Sequence, residues 1–404
     1  MDHTLIEETL AALVASNSRE LERDCDRLAQ RYVESRVEPQ FAVRSADFAT
    51  DPYLICADRY WNLRFTAEPT LQTAVECAGW LREHVAAGAR AEVREKWALG
   101  YAFITRDSVE SLGEIADATG DVVANDDSEC SRAYFATLYH AGKLRANRHF
   151  DELNSFLESS PLSNAAGTAH RREPLFVAMQ AFAAFGSRRI TLEHAKSLFD
   201  RAWHSPQRTR ETVDIALNAI AVSVPFDGQG EMLKERAVEA ISRYPDRTLF
   251  HYRLATGLHM CGEYDAALES IDDALRLLPA TGWRVSHELL QAQYLTKQEA
   301  ILHGRIAALQ ATAQQEHAQR QERELATLAD TMQRTAIRAI ELVSVFAAVI
   351  AFAVGSLNVS LNGNLRLAER LWIVALLGGG LVVFALLVVG GTWLIVRRPT
   401  GRGD

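Results

Sequence analysis

No two of the five cysteines in this 404-residue chain lie close together, and that absence removes two classes of protein at once. Cys25, Cys56, Cys77, Cys130 and Cys261 make neither a dense disulfide framework nor a paired-cysteine zinc box, so they are expected as small buried apolar residues. The common catalytic signatures are missing as well. There is no Gly-rich loop ending in Lys-Ser/Thr, no His-Glu-x-x-His and no Gly-x-Ser-x-Gly. His140 and His149 with Asp151 lack a ligand spacing, and Asp126, Asp127 and Glu129 follow Asn125 where an acidic helix start belongs. The expectation is a protein that is not an enzyme and holds no metal or cofactor. A dense Lys/Arg tract is also lacking, and the formal charge of −9 gives no general attraction to phosphate backbones, so nucleic acid is not an expected partner. Finally, residues 1–13 carry Asp2, Glu7 and Glu8 and no basic region leading into an apolar one, which gives no sign of a secretory signal.

What is present lies mostly at the end. Two apolar runs, 339–357 and 371–396, are separated by a polar stretch at 358–370. Hydrocarbon cannot satisfy backbone N–H and C=O groups, so runs of this length are expected as helices, and about twenty apolar residues suffice to cross a bilayer. Arg334 and Arg338 precede the first run and Arg397, Arg398 and Arg402 follow the second, whereas the loop holds only Arg366 and Arg370. The positive-inside tendency then puts both termini in the cytoplasm and the loop outside. The expected location is the cell inner membrane, with two spans.

Before the membrane region the chain reads as helix after helix, with Pro, Gly and Asp/Asn/Ser clusters between them and no sustained period-two pattern. The expected fold class is all-α. In 248–281, Leu254, Ala255 and Leu258 fall on a first helix, Gly262 and Tyr264 at a turn, Ala267, Ile271 and Ala274 on a second helix, and Pro279 closes the unit. This segment resembles a tetratricopeptide repeat, with His251 in place of the family's tryptophan and Leu258 in place of its second tyrosine. The family's 34-residue period, counted backward, puts Ile220, Ala221, Leu233, Ala237, Ala240 and Pro245 in matching places. Upstream the frame drifts through Phe182, Ala183, Ala195, Phe199 and Ala202, then Phe150, Leu153 and Leu157, then Leu99, Gly100, Leu112 and Ala116. The expected organisation is an N-terminal helical region at 1–90, read either as degenerate repeats or as a separate cap. A solenoid at 91–282, a helical stalk at 283–338, the hairpin at 339–396 and a cytoplasmic tail at 397–404 follow it.

The resemblance implies a superhelix whose concave face binds a protein partner. From the clear unit, Leu249, Tyr252, Thr256 and His259 are expected to line that face, with Asn218 from the preceding unit. Some relatives grip a terminal carboxylate with Lys and Asn there. Tyr252 and Thr256 stand in those places, so that clamp is not expected.

Residues 283–357 contain no proline and are expected to form nearly one helix, roughly 100 Å long at 1.5 Å per residue. Ile306 and Leu309 start one heptad register and Leu325, Leu328 and Met332 another, so a partial coiled coil just above the membrane is expected. In the spans, Ala347, Ala351 and Gly355 recur every fourth residue, as do Ala375 and Gly379, and such residues let helices approach closely in lipid. They are expected either to pack the hairpin internally or to join copies into a homo-oligomer. With no charge deeper than Glu341, a charged ion pathway is not expected. Trp372 and Trp393 are expected as interfacial aromatics. Two functions are carried forward. One is a membrane-anchored adaptor holding a cytosolic protein partner at the lipid; the other is a membrane-perturbing effector of a bacterial conflict or antiphage system, with the solenoid as its sensor.

Overall fold

A computed structural model describes residues 3–13, 18–124, 131–278, 284–361 and 366–396. Among them are eighteen helices. They are α1 (His3–Leu13), α2 (Ser18–Glu34), α3 (Pro52–Ala67), α4 (Leu71–His84), α5 (Ala87–Ile104), α6 (Leu112–Ala124), α7 (Ser131–Ala146), α8 (Phe150–Ser159) and α9 (Pro161–Ala165). The rest are α10 (Gly167–His170), α11 (Pro174–Gly186), α12 (Leu192–Trp203), α13 (Arg210–Ala221), α14 (Gln229–Arg243), α15 (Thr248–Met260), α16 (Tyr264–Arg276), α17 (Arg284–Leu361) and α18 (Leu367–Val396). The described residues contain no sheet, only an isolated parallel bridge between Val43 and Val85. The class is therefore all-α, as the missing strand pattern implied. Cys130, Pro279, Thr281, Trp283, Arg397, Arg398, Arg402 and the acidic group Asp126, Asp127 and Glu129 lie outside the described residues, as do the side chains of Asp2, Glu7 and Trp393.

Helix boundaries follow local chemistry. Asp51 accepts hydrogen bonds from the amides of Tyr53 (3.0 Å) and Leu54 (3.3 Å) while Pro52 opens α3, an arrangement that satisfies otherwise orphaned N–H groups. Thr70, Thr191 and Thr209 cap α4, α12 and α13 in the same way. After α15 the amide of Glu263 donates to the carbonyl of Leu258 (2.9 Å) and that of Gly262 to His259 (3.1 Å), closing a Schellman turn on Gly262 at φ 76°. The same two bonds form around Arg148 (φ 58°) and Arg36 (φ 54°), where no glycine is present. Those two arginines hold a backbone conformation that a Cβ disfavours.

The chain forms two compact units, Met1–Arg305 and Ile306–Asp404. In the first, one apolar cluster is continuous from Ile6 to Phe250, and a second joins Ala255, Leu258, Ala267, Ile271 and Ala274 to Tyr294 and Ile301 of α17. Ala255, Ala267, Ile271 and Ala274 are fully buried, as the repeat-like spacing implied. The close approach extends to α14, because a Cβ on Gly257 would sit 2.7 Å from the backbone nitrogen of Lys234. In the N-terminal region Trp61 and Trp80 meet edge to face (6.4 Å), and Trp80 stacks on Trp97 (5.9 Å). One faint register needs correction. Leu112 is 86% exposed and Ala116 is exposed, while Ile115, Ala118 and Val122 carry the buried face of α6. Leu112 is the first residue of that helix, beside the Ser111–Glu114 cap, and so precedes its apolar stripe.

In the second unit α17 continues to Leu361 and α18 starts at Leu367, so helix extends into both ends of the expected 358–370 loop. Glu369 accepts from the amide of Arg366 (3.2 Å), which starts α18 early. The two helices touch across a gap of about 60 Å³ lined by Val345, Ala348, Val349, Leu381, Phe384 and Ala385.

Candidate functional site

The expected partner-binding face on α15 is covered by the chain itself. Tyr252 stacks on Tyr294 of α17 at 5.1 Å and accepts a hydrogen bond from Gln293 (3.3 Å). Thr256 is 8% exposed and donates its hydroxyl proton to the carbonyl of Tyr252. His259 lies 3.3 Å from the ammonium of Lys297 and beside the ring of Tyr264. Thr248 and Tyr294 share a hydroxyl hydrogen bond (2.9 Å), and Arg305 reaches Asp265 (3.0 Å). Leu249 and Asn218 are half-buried. The structure thus brings Tyr252, Thr256 and His259 together, but under α17 rather than along an open groove. The physical reason is that a terminal helical pair leaves an apolar face, and Leu290, Tyr294 and Ile301 recur at the helical spacing that covers it. That spacing is a local signal in the sequence, and it lies just before the heptad register at Ile306.

Beside this packed face, charged side chains from helices distant in sequence converge. Thr209 both caps α13 and donates to the carboxylate of Glu95 on α5 at 2.6 Å, across 114 positions of sequence. Burial pushes Glu95 up to about 7. Its neighbour Lys96 falls to about 8, because burial and the nearby Arg210 and Arg247 outweigh Asp58. Asp58 accepts from the hydroxyl of Tyr101 (3.1 Å), and burial raises its carboxyl. Further along, Arg253 lies 3.7 Å from Asp214 and packs against the ring of Tyr252. Arg145 of α7 is near enough to feel Asp214, Arg253 and Glu211; burial, reinforced by Arg253, lowers it. Burial and Arg253 lower Lys297 likewise. No local motif marks these residues, since they are drawn from several helices, α3, α5, α7, α13, α15 and α17.

A separate buried network joins Glu110, His140 and Lys143. Glu110 meets His140 Nδ1 at 2.6 Å and accepts from Lys143, which also donates to the carbonyls of Ser108 (2.6 Å) and Pro69 (3.0 Å). Burial opposes the charge on Glu110, yet His140 and Lys143 prevail and hold it below the ordinary carboxylate range. The ammonium is fully buried and has three oxygen partners, so the network acts as a clamp between α7 and the 105–110 loop. An open pocket of about 490 Å³, lined in part by Pro69, Ser108, Glu110 and Glu114, borders it. His140 is not joined to the other two tempting residues: His149 pairs with Glu152, and Asp151 accepts from Ser187. Among the described residues no three His, Cys, Asp or Glu side chains are arranged to hold a metal. Cys25, Cys56 and Cys77 are buried free thiols, and burial pushes Cys25 up to about 12; Cys261 is half-buried.

In the second unit the small residues divide. Ala347, Ala351, Ala375 and Gly379 are exposed and Gly355 is half-buried, while the contact between helices is made by Ala348, Phe352 and Gly378. Both helices are long and apolar enough to cross a membrane. No protein-family model matches the chain, and neither a curated protein nor a solved structure is similar to it.

Proposed function

We propose that the chain is a membrane-anchored scaffold. Its tetratricopeptide-like helical solenoid holds a protein partner in the cytosol, and a hairpin of two spans fixes that assembly at the inner membrane. The observation that carries this reading is α18, which leaves Leu371, Trp372, Leu376, Leu386 and Leu387 at least 65% exposed. Such a surface is costly in water and neutral in lipid. The Schellman turn at Gly262 and the buried alanines of α15 and α16 support the repeat-like part. The test is fractionation followed by labelling of a cysteine placed at Asn364, in intact and in opened cells. Labelling from outside supports the two-span topology with cytoplasmic ends. Recovery in the soluble fraction would overturn the anchor, and labelling only after opening would overturn the orientation.

A second reading, a hairpin that assembles and perturbs the membrane, is favoured by one observation. Ala347, Ala351, Ala375 and Gly379 face away from the contact between helices. Replacing Ala347, Ala351 and Gly355 by leucine keeps the span apolar but separates any closely packed copies. If the second reading holds, higher-order species in detergent are lost and depolarisation on induced expression disappears with them.

A further inference from the structure

Every residue of α17 from 309 to 336 is exposed. A helix with no tertiary contact needs a partner or dense charge pairing to stay helical in water. The charges along this one are not spread evenly. Counted in heptads with Leu325 at position a and Leu328 at position d, the nine Asp, Glu and Arg side chains between 311 and 342 all avoid both core positions. The ion pairs Glu316–Arg320 (3.7 Å) and Asp330–Arg334 (2.7 Å) fall at positions f and c, on the face opposite that seam. Along the seam, position a is filled by Ala, Leu and Met and position d by Gln, Leu and Thr. Leu325, Leu328, Met332 and Leu342 are each at least 56% exposed there. Ile306 and Leu309 fall at positions c and f, off the seam.

We propose that this seam pairs with the same seam of a second copy of the chain, as a parallel two-stranded coiled coil. The direction rests on the membrane-anchor reading above. Two copies whose spans cross one membrane point their stalks the same way and hold them at one depth, so identical heptads meet in register. In a parallel pair the residue at position g faces the residue at position e five places later on the other helix. That brings His317 of one copy to Glu322 of the other, a donor to a carboxylate, and sets no like charges against each other. Alanine at positions 311, 318 and 339 keeps the core narrow, as two strands require. Gln314 and Gln321, at position d, meet their own counterparts, and paired amides fix the register at some cost in stability.

Single cysteines introduced in turn from 318 to 332 in the full-length chain, oxidised in detergent, test it. Covalent dimer should peak at 318, 321, 325, 328 and 332 and fall to the background of the native thiols at 320, 323, 327 and 330. Leu325→Glu combined with Leu328→Glu should raise the apparent dimer Kd about a hundredfold or more in analytical ultracentrifugation, because each change removes a leucine from a closed core. Flotation with membranes should be kept in that variant. Ala326→Glu, at position b, should associate like wild type. A cross-linking yield without the heptad period overturns the proposal, and so does a wild-type chain that sediments as a monomer or a double variant that associates like wild type. Loss of flotation by the wild-type chain instead overturns the anchor, and the cysteine pattern still decides the coiled coil.

Discussion

Trp97 and Trp372 are the same side chain on helices of one protein, yet the first is 1% exposed and the second 73%. Trp97 lies in the first unit, stacked on Trp80, with other helices closing over it. Trp372 lies on α18 in the second unit, among leucines and valines that are themselves exposed. The difference teaches that apolar content alone does not decide burial. In most helices of the first unit apolar residues alternate with charged ones at helical spacing, giving an inside and an outside, while α11, which has no charged residue, is enclosed by neighbouring helices. In α18 they surround the helix, and burial then requires a solvent that is apolar on every side.

The largest expected effect comes from breaking the second half of that comparison. Arginine at both Leu376 and Val382, exposed positions of α18, costs about 2.5–3.5 kcal/mol each near the centre of a span. The double variant should leave the membrane fraction in a flotation assay while the helical body stays folded by circular dichroism. Continued flotation would show that α18 does not anchor the chain.

Trp97→Ala should do the converse. Removing a fully buried indole destabilises by about 3–5 kcal/mol, so the unfolding midpoint of the body should fall sharply while flotation is kept. An unchanged midpoint would mean that the aromatic stack is not a structural core.

A smaller effect sharpens the account of the body. Because burial pushes Glu95 from an ordinary 4.5 up to about 7, the folded state prefers its protonated form. Its favourable contribution is complete below about pH 4.5 and is lost as pH rises through about 7. Glu95→Gln cannot ionise and retains an acceptor for Thr209. It should match wild type near pH 4 and exceed it at pH 8 by roughly 2–3 kcal/mol. A parallel pair of pH–stability curves would refute that assignment.

The smallest expected change is a gain. Arg148 occupies a left-handed turn position at φ 58° with its side chain exposed, so Arg148→Gly should stabilise the body by about 1 kcal/mol. A lowered unfolding midpoint would mean that the arginine side chain contributes more than its backbone strain costs.

The sequence by itself determined the elements. Proline and threonine at helix starts, Gly262 after α15 and the two apolar runs are local signals, because a cap, a turn or a span depends on residues within a few positions of one another. The buried set Ala255, Ala267, Ile271 and Ala274 was legible for the same reason. Where spacing was irregular, local reading slipped by part of a turn, as at Leu112 and Ala116. Only the tertiary structure decided what covers what. Tyr252, Thr256 and His259 share one helical face, which a local pattern can show, but that α17 lies over them depends on contacts some forty positions apart, such as Tyr252 with Tyr294. The hydrogen bond from Thr209 to Glu95 is still less local. It joins residues 114 positions apart, and it forms only because the fold brings the start of α13 against α5.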